Sequence, residues 1–468
     1  VPPLDLSRPG RYHIVGVGGP GMSAIAVALA QMGHRVSGSD LRDLPVLERL
    51  RAAGVEVHVG HDRAHVVGVD AVTASSAVPE RNVELQAARE LGITVLRRAG
   101  MLASICARAQ SVAVAGTHGK TTTTSILMLM LAEAGWRPSF VIGGDVADVG
   151  VGALWTGSEW FVVEADESDG THLELPLHAT VLTNVEADHL DHYGTVEAIV
   201  DGFDRYLRQV PGPKALCVDD PVCARLRAAL GPDAGVVGYG TSAAADVRAV
   251  DLRADRGAFR FRVERHGQPV GEVHLPLRGV HNVRNACGAL ALALELGVPV
   301  EPAIAALERF GGVARRFDVR GEHAGATFVD DYAHLPSEID AVLTAARDSG
   351  DGWQRVVAVF QPNRFNRMAV LWPEYADAFR AADLVVITDI YPSGTTPIPG
   401  VTGKLVVNAV TEAHPEARVV WLPHRADLVE FLAREVRAGD VCISMGCGDV
   451  ASLPDEVLAR RREREATA

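Results

Sequence analysis

Between Val112 and Ala132 the chain passes from an apolar, partly β-branched run through a glycine turn into a second apolar run of helical character. Val112-Ala113-Val114-Ala115 reads as a buried strand and Gly116-Thr117-His118-Gly119 as the turn. Lys120-Thr121-Thr122-Thr123-Thr124 and the residues to Ala132 read as a helix ending near Gly135. A buried strand feeding directly into a helix predicts a parallel α/β sheet. It also makes an anion cradle, because the unpaired N–H groups of the turn and the helix dipole converge on one spot. Lys120 is placed to reach the outer phosphates of a nucleotide, and the Thr121 hydroxyl to hold Mg²⁺. The usual phosphate-loop pattern has a glycine five residues before Gly119, where Val114 stands, so the loop is a shortened variant. Lys120, Lys214 and Lys404 are the only lysines among 45 basic residues. A chain that otherwise uses arginine keeps a compact ammonium at this junction, where a planar guanidinium fits poorly between phosphates. The competing reading is a surface lysine after a tight turn.

At 468 residues the chain exceeds one hydrophobic core, and two to four domains are expected. A hydrophobic fraction of 48% with 22% charged residues is globular. No apolar run approaches the roughly 20 residues that span a bilayer, and the first residues lack a signal peptide's basic and apolar regions. A net charge of −14 argues against nonspecific nucleic-acid or anionic-membrane binding. Cys106, Cys217, Cys223, Cys287, Cys442 and Cys447 form no CxxC pair, which suggests reduced thiols in a cytoplasmic protein. The basic tail Arg460-Arg461-Arg462-Glu463-Arg464 is read as a frayed helix end.

A second fingerprint opens the chain. Tyr12 to Val15 reads as a strand, followed by a turn with Gly16, Gly18, Gly19 and Gly21, then Met22 and Ser23, a helix Ala24 to Met32 and a strand from Arg35. Asp40 falls at about the distance expected for a ribose contact. The glycines alone fit NAD, FAD or a nucleotide-sugar diphosphate. Beyond the phosphate loop, buried runs end in Glu164-Ala165-Asp166-Glu167-Ser168-Asp169 and in Asn184-Val185-Glu186-Ala187-Asp188-His189. Ligands in parallel α/β sheets lie beyond the carboxyl ends of strands, where these groups fall. Glu164 and His189 could then complete a nucleotide–metal site, the imidazole suggesting a second ion. Residues 211–275 read as a small β-rich insertion. Asn282 and Asn285 share one face of a helix reaching Leu296. From about residue 313 a third α/β domain begins. The expected domains are a Rossmann-like 1–107, a central phosphate-loop domain with a parallel sheet at 108–312, and a Rossmann-like 313–468.

Taken together, Gly116-Thr117-His118-Gly119-Lys120-Thr121-Thr122, Glu164 to Asp169 and Asn184 to Asp191 resemble the central domain of the Mur ligases. Gly18 to Ser23, His281-Asn282-Val283-Arg284-Asn285-Ala286, Arg315-Arg316-Phe317 and Asp330-Asp331-Tyr332-Ala333-His334 resemble the branch of that family acting on UDP-N-acetylmuramic acid and L-alanine. The resemblance covers essentially the whole chain. It implies an ADP-forming amide ligase of peptidoglycan precursor synthesis, working through an acyl phosphate with ATP and two Mg²⁺ ions, as a monomer or weak homodimer. It further implies that Lys120 contacts the outer phosphates, that Thr121 with Glu164 holds one Mg²⁺, and that His189 with Glu164 holds the other. His281, Asn282 and Asn285 would sit by the adenine nucleotide, with Arg316, Asp330 and Asp331 contributed by a closing third domain. The turn Gly16 to Ser23, with Asp40, Ser75, Ser76 and Ser168, would hold the UDP-sugar, and Tyr332, His334, Asn363, Arg364 and Arg367 the amino acid.

The chain departs from the family pattern where a second His is expected, at Leu335, and where Gln-Pro-His becomes Gln361-Pro362-Asn363. Arg98-Ala99-Gly100 stands for the usual Arg-Ala-Glu. No lysine lies between Lys120 and Lys214 to serve as a carbamylated metal ligand. Alanine is the expected amino acid, with glycine and serine open. The rival readings are a relative that adds a preformed peptide to the same sugar, a nicotinamide-dependent oxidoreductase, and a nucleotide-binding regulator without turnover.

Overall fold

The computed structural model describes residues 2–188 and 193–467. Three α/β domains are built on three sheets of predominantly parallel strands. The first sheet has five parallel strands in the order Glu56–Val59, Arg35–Asp40, Arg11–Val15, Ala71–Ala74, Thr94–Arg97. Arg11–Val15 is central, with Ile14 level with both Gly38 and Thr73. The chain therefore leaves this strand toward one neighbour and returns to the other, which opens a crevice at the strand ends. The helix that follows is Pro20–Gln31, starting earlier than the sequence suggested. Pro20 at its first position needs no N–H partner and is already set for helical φ.

The central sheet runs through ten strands. Its inner part, Lys214–Cys217, Ala179–Leu182, Gln110–Ala115, Trp160–Glu164 and Ser139–Val141, is parallel throughout. The helix Lys120–Glu133 lies behind Gln110–Ala115, and every residue from Thr122 to Leu131 is buried. A helix apolar on all sides must be covered on all sides. Each fully buried Leu or Ile in it contributes about 1.5–3 kcal/mol relative to exposure. The β-rich segment 211–275 continues this sheet. Val236–Gly240 pairs in parallel with Lys214–Cys217, and Val247–Asp255, Ala258–Arg265 and Gln268–Leu275 follow in order. The last two connections are the dipeptides Arg256-Gly257 and His266-Gly267, all four residues at positive φ, as tight hairpins of a right-twisted sheet require.

The third sheet has the order Asp318–His323, Ala326–Asp331, Asp440–Met445, Arg355–Phe360, Leu384–Ile387, Val419–Trp421, with only the first pair antiparallel. The chain divides into two compact units. One comprises 1–252, 261–275 and 282–312 and carries the first sheet and most of the second; the other comprises 253–260, 276–281 and 313–468. Among the described residues no helix is long and apolar enough to cross a membrane.

Candidate nucleotide and substrate sites

In the first unit, three neighbouring strands of the central sheet end at one edge, and the residues beyond them build the phosphate loop. Gly116 follows Ala115 with φ +125°, and a Cβ there would lie 2.1 Å from Thr183 Oγ1, so only glycine fits. Gly119, at φ +78°, caps the helix Lys120–Glu133, and a Cβ on it would lie 2.4 Å from Asn285 Oδ1. Asn285 thus lies directly against the loop, its Nδ2 donating to Asn282 Oδ1 at 3.2 Å. Asn184 grips the loop from the other side. It accepts from the His118 N–H at 2.8 Å and donates to the His118 carbonyl at 3.1 Å. The Thr183 hydroxyl donates to the same carbonyl at 2.6 Å, and Thr117 Oγ1 accepts from the Glu186 N–H at 2.9 Å. His118 Nε2 lies 3.2 Å from Glu186 Oε2. Thr122 is buried in the first turn of the helix, and His281 and Asn282 are half-buried at the start of Val280–Glu295.

Lys120 curls back over the loop. Its Nζ donates to the carbonyls of Gly116 at 2.7 Å and Thr117 at 3.0 Å, and pairs with Glu167 Oε2 at 2.9 Å. Glu167 is 4% exposed, and Tyr193 Oη donates to its carbonyl at 2.8 Å. Burial raises the Glu167 carboxyl to about 7; Lys120 opposes the rise and Asp166 adds to it. Burial works against the Lys120 charge, but Glu167, Asp166 and Glu164 outweigh it and keep the ammonium protonated. Burial would also raise Asp166, yet Arg98 and Lys120 bring it below the ordinary carboxylate range. Arg98 Nη2 donates to Asp166 at 2.7 Å and Asp169 at 3.1 Å. Thr121 Oγ1 donates to Glu164 Oε2 at 3.3 Å, while Gly143 N–H donates to Glu164 Oε1 at 2.8 Å. Glu164 is therefore presented to the loop by the strand that ends with it. His189 lies outside the described residues.

The sequence did not single out Glu167, Arg98 or Asn184 as partners of the loop. Glu167 stands within the acidic run already quoted. Sheet order brings this run beside the loop, and the side-chain contact shows that Glu167, rather than Asp166 or Asp169, pairs with Lys120.

At the crevice of the first sheet, Gly16 has φ +77° and the Gly18 N–H donates to Asp40 Oδ2 at 3.0 Å. A Cβ on Gly18 would lie 2.8 Å from that carboxylate oxygen. Asp40 thus shapes the turn directly. Gly19 caps the helix Pro20–Gln31 without a side-chain bond. Gly21 packs beside Arg98, whose Nη1 would lie 3.2 Å from a Cβ there. Ser75 and Ser76 follow the adjacent strand, Ser75 N–H bonding to the Val15 carbonyl at 3.1 Å. The Ser23 hydroxyl is spent on the Pro20 carbonyl at 2.9 Å. The Met22 side chain is buried in the apolar core, and its N–H bonds to the Gly19 carbonyl at 3.0 Å. Ser168 is half-buried, its N–H held by Asp166.

The second unit carries its own polar cluster at the end of the strand Ala326–Asp331. Asp330 is fully buried and accepts from Arg315 Nε at 2.9 Å; burial raises its carboxyl, with Arg315 opposing. Asp331 accepts from the N–H groups of Phe317 at 2.7 Å and Ala333 at 2.8 Å. Burial lifts its carboxyl to about 6, against the pull of Arg316. Arg315, not Arg316, therefore makes the ion pair in this cluster. The guanidinium groups of Arg315 and Arg316 lie 5.0 and 5.2 Å from the Tyr332 ring centroid. His334 Nδ1 is 3.2 Å from Glu338 Oε2. Arg367 Nη1 donates to buried Asn363 Oδ1 at 3.0 Å, and Arg364 takes positive φ beside it. Leu335 lies in the apolar core, so the departure from the family pattern there falls on a packing position.

A shortened phosphate loop in a parallel sheet, with a lysine at the helix start and carboxylates from the next strand, defines a phosphate-loop nucleotide-binding protein of three α/β domains. Family models match along the chain: the Mur ligase family catalytic domain at residues 11–110, the Mur ligase middle domain at 114–293 and the Mur ligase glutamate ligase domain at 315–448. The chain belongs to the Mur ligase family. A protein of Acidothermus cellulolyticus described as UDP-N-acetylmuramate–L-alanine ligase is 47% identical over 466 residues, covering 99% of this chain and 97% of that one. One of Kineococcus radiotolerans with the same description is 45% identical, covering 98% of each. The crystal structure of the UDP-N-acetylmuramate-alanine ligase from Thermotoga maritima matches with a TM-score of 0.82 at 27% identity, over 97% of this chain and all of that one.

Proposed function

We propose that this chain is the ATP-dependent ligase that joins L-alanine to the lactyl carboxylate of UDP-N-acetylmuramic acid in cytoplasmic peptidoglycan precursor synthesis. The observation that carries the reading is Lys120, held at the phosphate loop beside Thr121 and Glu164, in a chain 47% identical over nearly its full length to a protein so described. A carboxylate is a poor electrophile, so the γ-phosphoryl group is transferred to its oxygen. The amine nitrogen then attacks the carbonyl carbon and loses a proton, and phosphate leaves.

The loop N–H groups and Lys120 position the transferring phosphoryl group and offset its charge. Adjacent oxygens around an octahedral ion with bonds of about 2.0–2.1 Å lie about 2.9 Å apart, so Thr121 Oγ1 and Glu164 Oε2, at 3.3 Å, have only to draw slightly closer to share one. These two residues would hold Mg²⁺, and Glu164 with His189 a second ion. When bound, such ions neutralise phosphate charge. The turn Gly16 to Ser23 receives the UDP pyrophosphate at its helix N-terminus, with Asp40, Ser75, Ser76 and Ser168 around it. Asn282, Asn285 and His281 attend the adenine nucleotide. In the domain 313–468, Arg316, Asp330 and Asp331 are the residues proposed for nucleotide contact. There Arg364 and Arg367 take the amino-acid carboxylate, by the bidentate contact arginine favours, alongside Tyr332, His334 and Asn363.

Phosphate release measured with each component omitted in turn tests the reading. Release is expected only with ATP, Mg²⁺, the UDP-sugar acid and alanine together; release without the sugar acid would refute it. Competition between alanine and a preformed tripeptide distinguishes the peptide-adding relative, and gel filtration with scattering tests a monomer or weak homodimer.

A further inference from the structure

Away from the strand ends, the first domain buries a carboxylate among imidazoles. Glu84, in the first turn of the helix Val83–Glu90, is completely inaccessible. Its Oε1 lies 2.7 Å from His65 Nδ1 and 3.5 Å from His13 Nε2, and its Oε2 lies 2.9 Å from His61 Nδ1. Among the described residues these three histidines are its only ion-pair partners; no Arg or Lys reaches it. Burial alone would raise this carboxyl, but His13, Ser39 and His65 around it bring it down to about 2. A buried carboxylate held ionised calls for a cation beside it. His13 is equally buried. Its Nδ1 is 2.8 Å from Ser37 Oγ, while its Nε2, facing Glu84, has no hydrogen-bond partner.

The ligand atoms of His13, His65 and Glu84 all lie within 4.8 Å of one another. A tetrahedral ion with bonds of about 2.0–2.1 Å holds its ligands about 3.3 Å apart. The His13–Glu84 spacing of 3.5 Å matches, the His65–Glu84 contact at 2.7 Å has to open by about 0.6 Å, and the two imidazole nitrogens, within 4.8 Å of each other, have to settle to the same spacing. Two imidazoles and one carboxylate are a zinc-type donor set, unlike the oxygen donors Mg²⁺ prefers. We propose that His13, His65 and Glu84 form a binding site for one divalent transition-metal ion, zinc by its chemistry, separate from the nucleotide site. Supporting contacts are in place. Ser37 fixes the His13 ring, Ser39 donates to Glu84 Oε2 at 2.6 Å, and His58 stacks on His65 with centroids 3.9 Å apart. The ion would join the strand Arg11–Val15, the turn Arg63–Val66 and the helix Val83–Glu90. Ser39 precedes Asp40, so the site lies one residue behind the carboxylate that shapes the glycine turn.

The test uses the untagged full chain, stripped with chelator, kept in millimolar Mg²⁺ and titrated with Co²⁺ and then Zn²⁺. One equivalent of Co²⁺ should give the visible absorption of a four-coordinate nitrogen–oxygen site, Zn²⁺ should displace it, and the thermal midpoint should rise. His65→Ala, at a half-buried position, and Glu84→Gln should each weaken Zn²⁺ retention at least about tenfold. If Glu84→Gln fails to fold, the wild-type cobalt spectrum and His65→Ala decide. No cobalt spectrum and no retained zinc in the wild type would overturn the proposal. Retention unchanged in His65→Ala would overturn it too.

Discussion

Nucleotide binding should draw a proton into the phosphate site. Glu167 is almost fully buried, its carboxyl raised to about 7 by desolvation and restrained by Lys120 at 2.9 Å. When Lys120 turns to the nucleotide's phosphates, that restraint goes. At an effective dielectric of about 20, charges about 4 Å apart centre to centre are worth about 4 kcal/mol, equivalent to about three pH units. The carboxyl then titrates well above neutrality. At pH 7 about half the molecules carry the proton before binding and nearly all afterwards, so uptake approaches about 0.5 proton per nucleotide. Calorimetric titration of ADP with Mg²⁺, in two buffers of small and large ionisation enthalpy, measures this directly. The Glu167→Gln variant subtracts protons exchanged elsewhere. The wild type should exceed the variant by about 0.5 proton. Equal uptake by both, or net proton release attributable to Glu167, would refute the exchange of partners.

The same carboxyl sets a stability profile. Its folded value lies above the usual 4.5, so its contribution is whole below about pH 4.5 and is lost as pH rises through about 7. Urea unfolding at pH 5 and 8 should show the wild type losing about 2.5 kcal/mol relative to Glu167→Gln. Arg98→Ala leaves Asp166 and Asp169 without their guanidinium and should destabilise the chain by about 3 kcal/mol, read from urea midpoints. Gly116→Ala forces a side chain into Thr183 Oγ1 at positive φ, and should abolish binding of a fluorescent nucleotide or prevent folding. Asn285→Ala removes the side chain that abuts Gly119, and should raise KM for ATP about tenfold in the phosphate-release assay.

The strand–turn–helix junctions were legible in the sequence because they are local. A buried apolar run, a glycine and a helix start are neighbours in the chain, and Lys120 and Thr121 follow from that junction alone. Asp40 and Glu164 were legible for a related reason, each standing at the end of its strand. Their partners were not. Glu167 is 47 residues from Lys120 and Arg98 is 68 from Asp166, and they meet only because Trp160–Glu164 pairs with Gln110–Ala115. Sheet order is a property of the whole fold, which short-range periodicity does not encode. The same holds for His13, His65 and Glu84, which come from a strand, a short turn and a helix with no motif spacing. Residues 211–275 were recognisable as strands, but not as a continuation of the central sheet, since an edge shows no mark of its neighbour in its own pattern.

The contact between Lys120 and Glu167 also bears on turnover. A cradle for several negative charges that stood open would bind spent ADP tightly and release it slowly. Here an internal carboxylate acts as a stand-in anion, waiting to reclaim the ammonium as soon as a product loosens. On the proposed reading, every arriving or departing nucleotide would compete with it, so some tightness of binding would be exchanged for a faster exit.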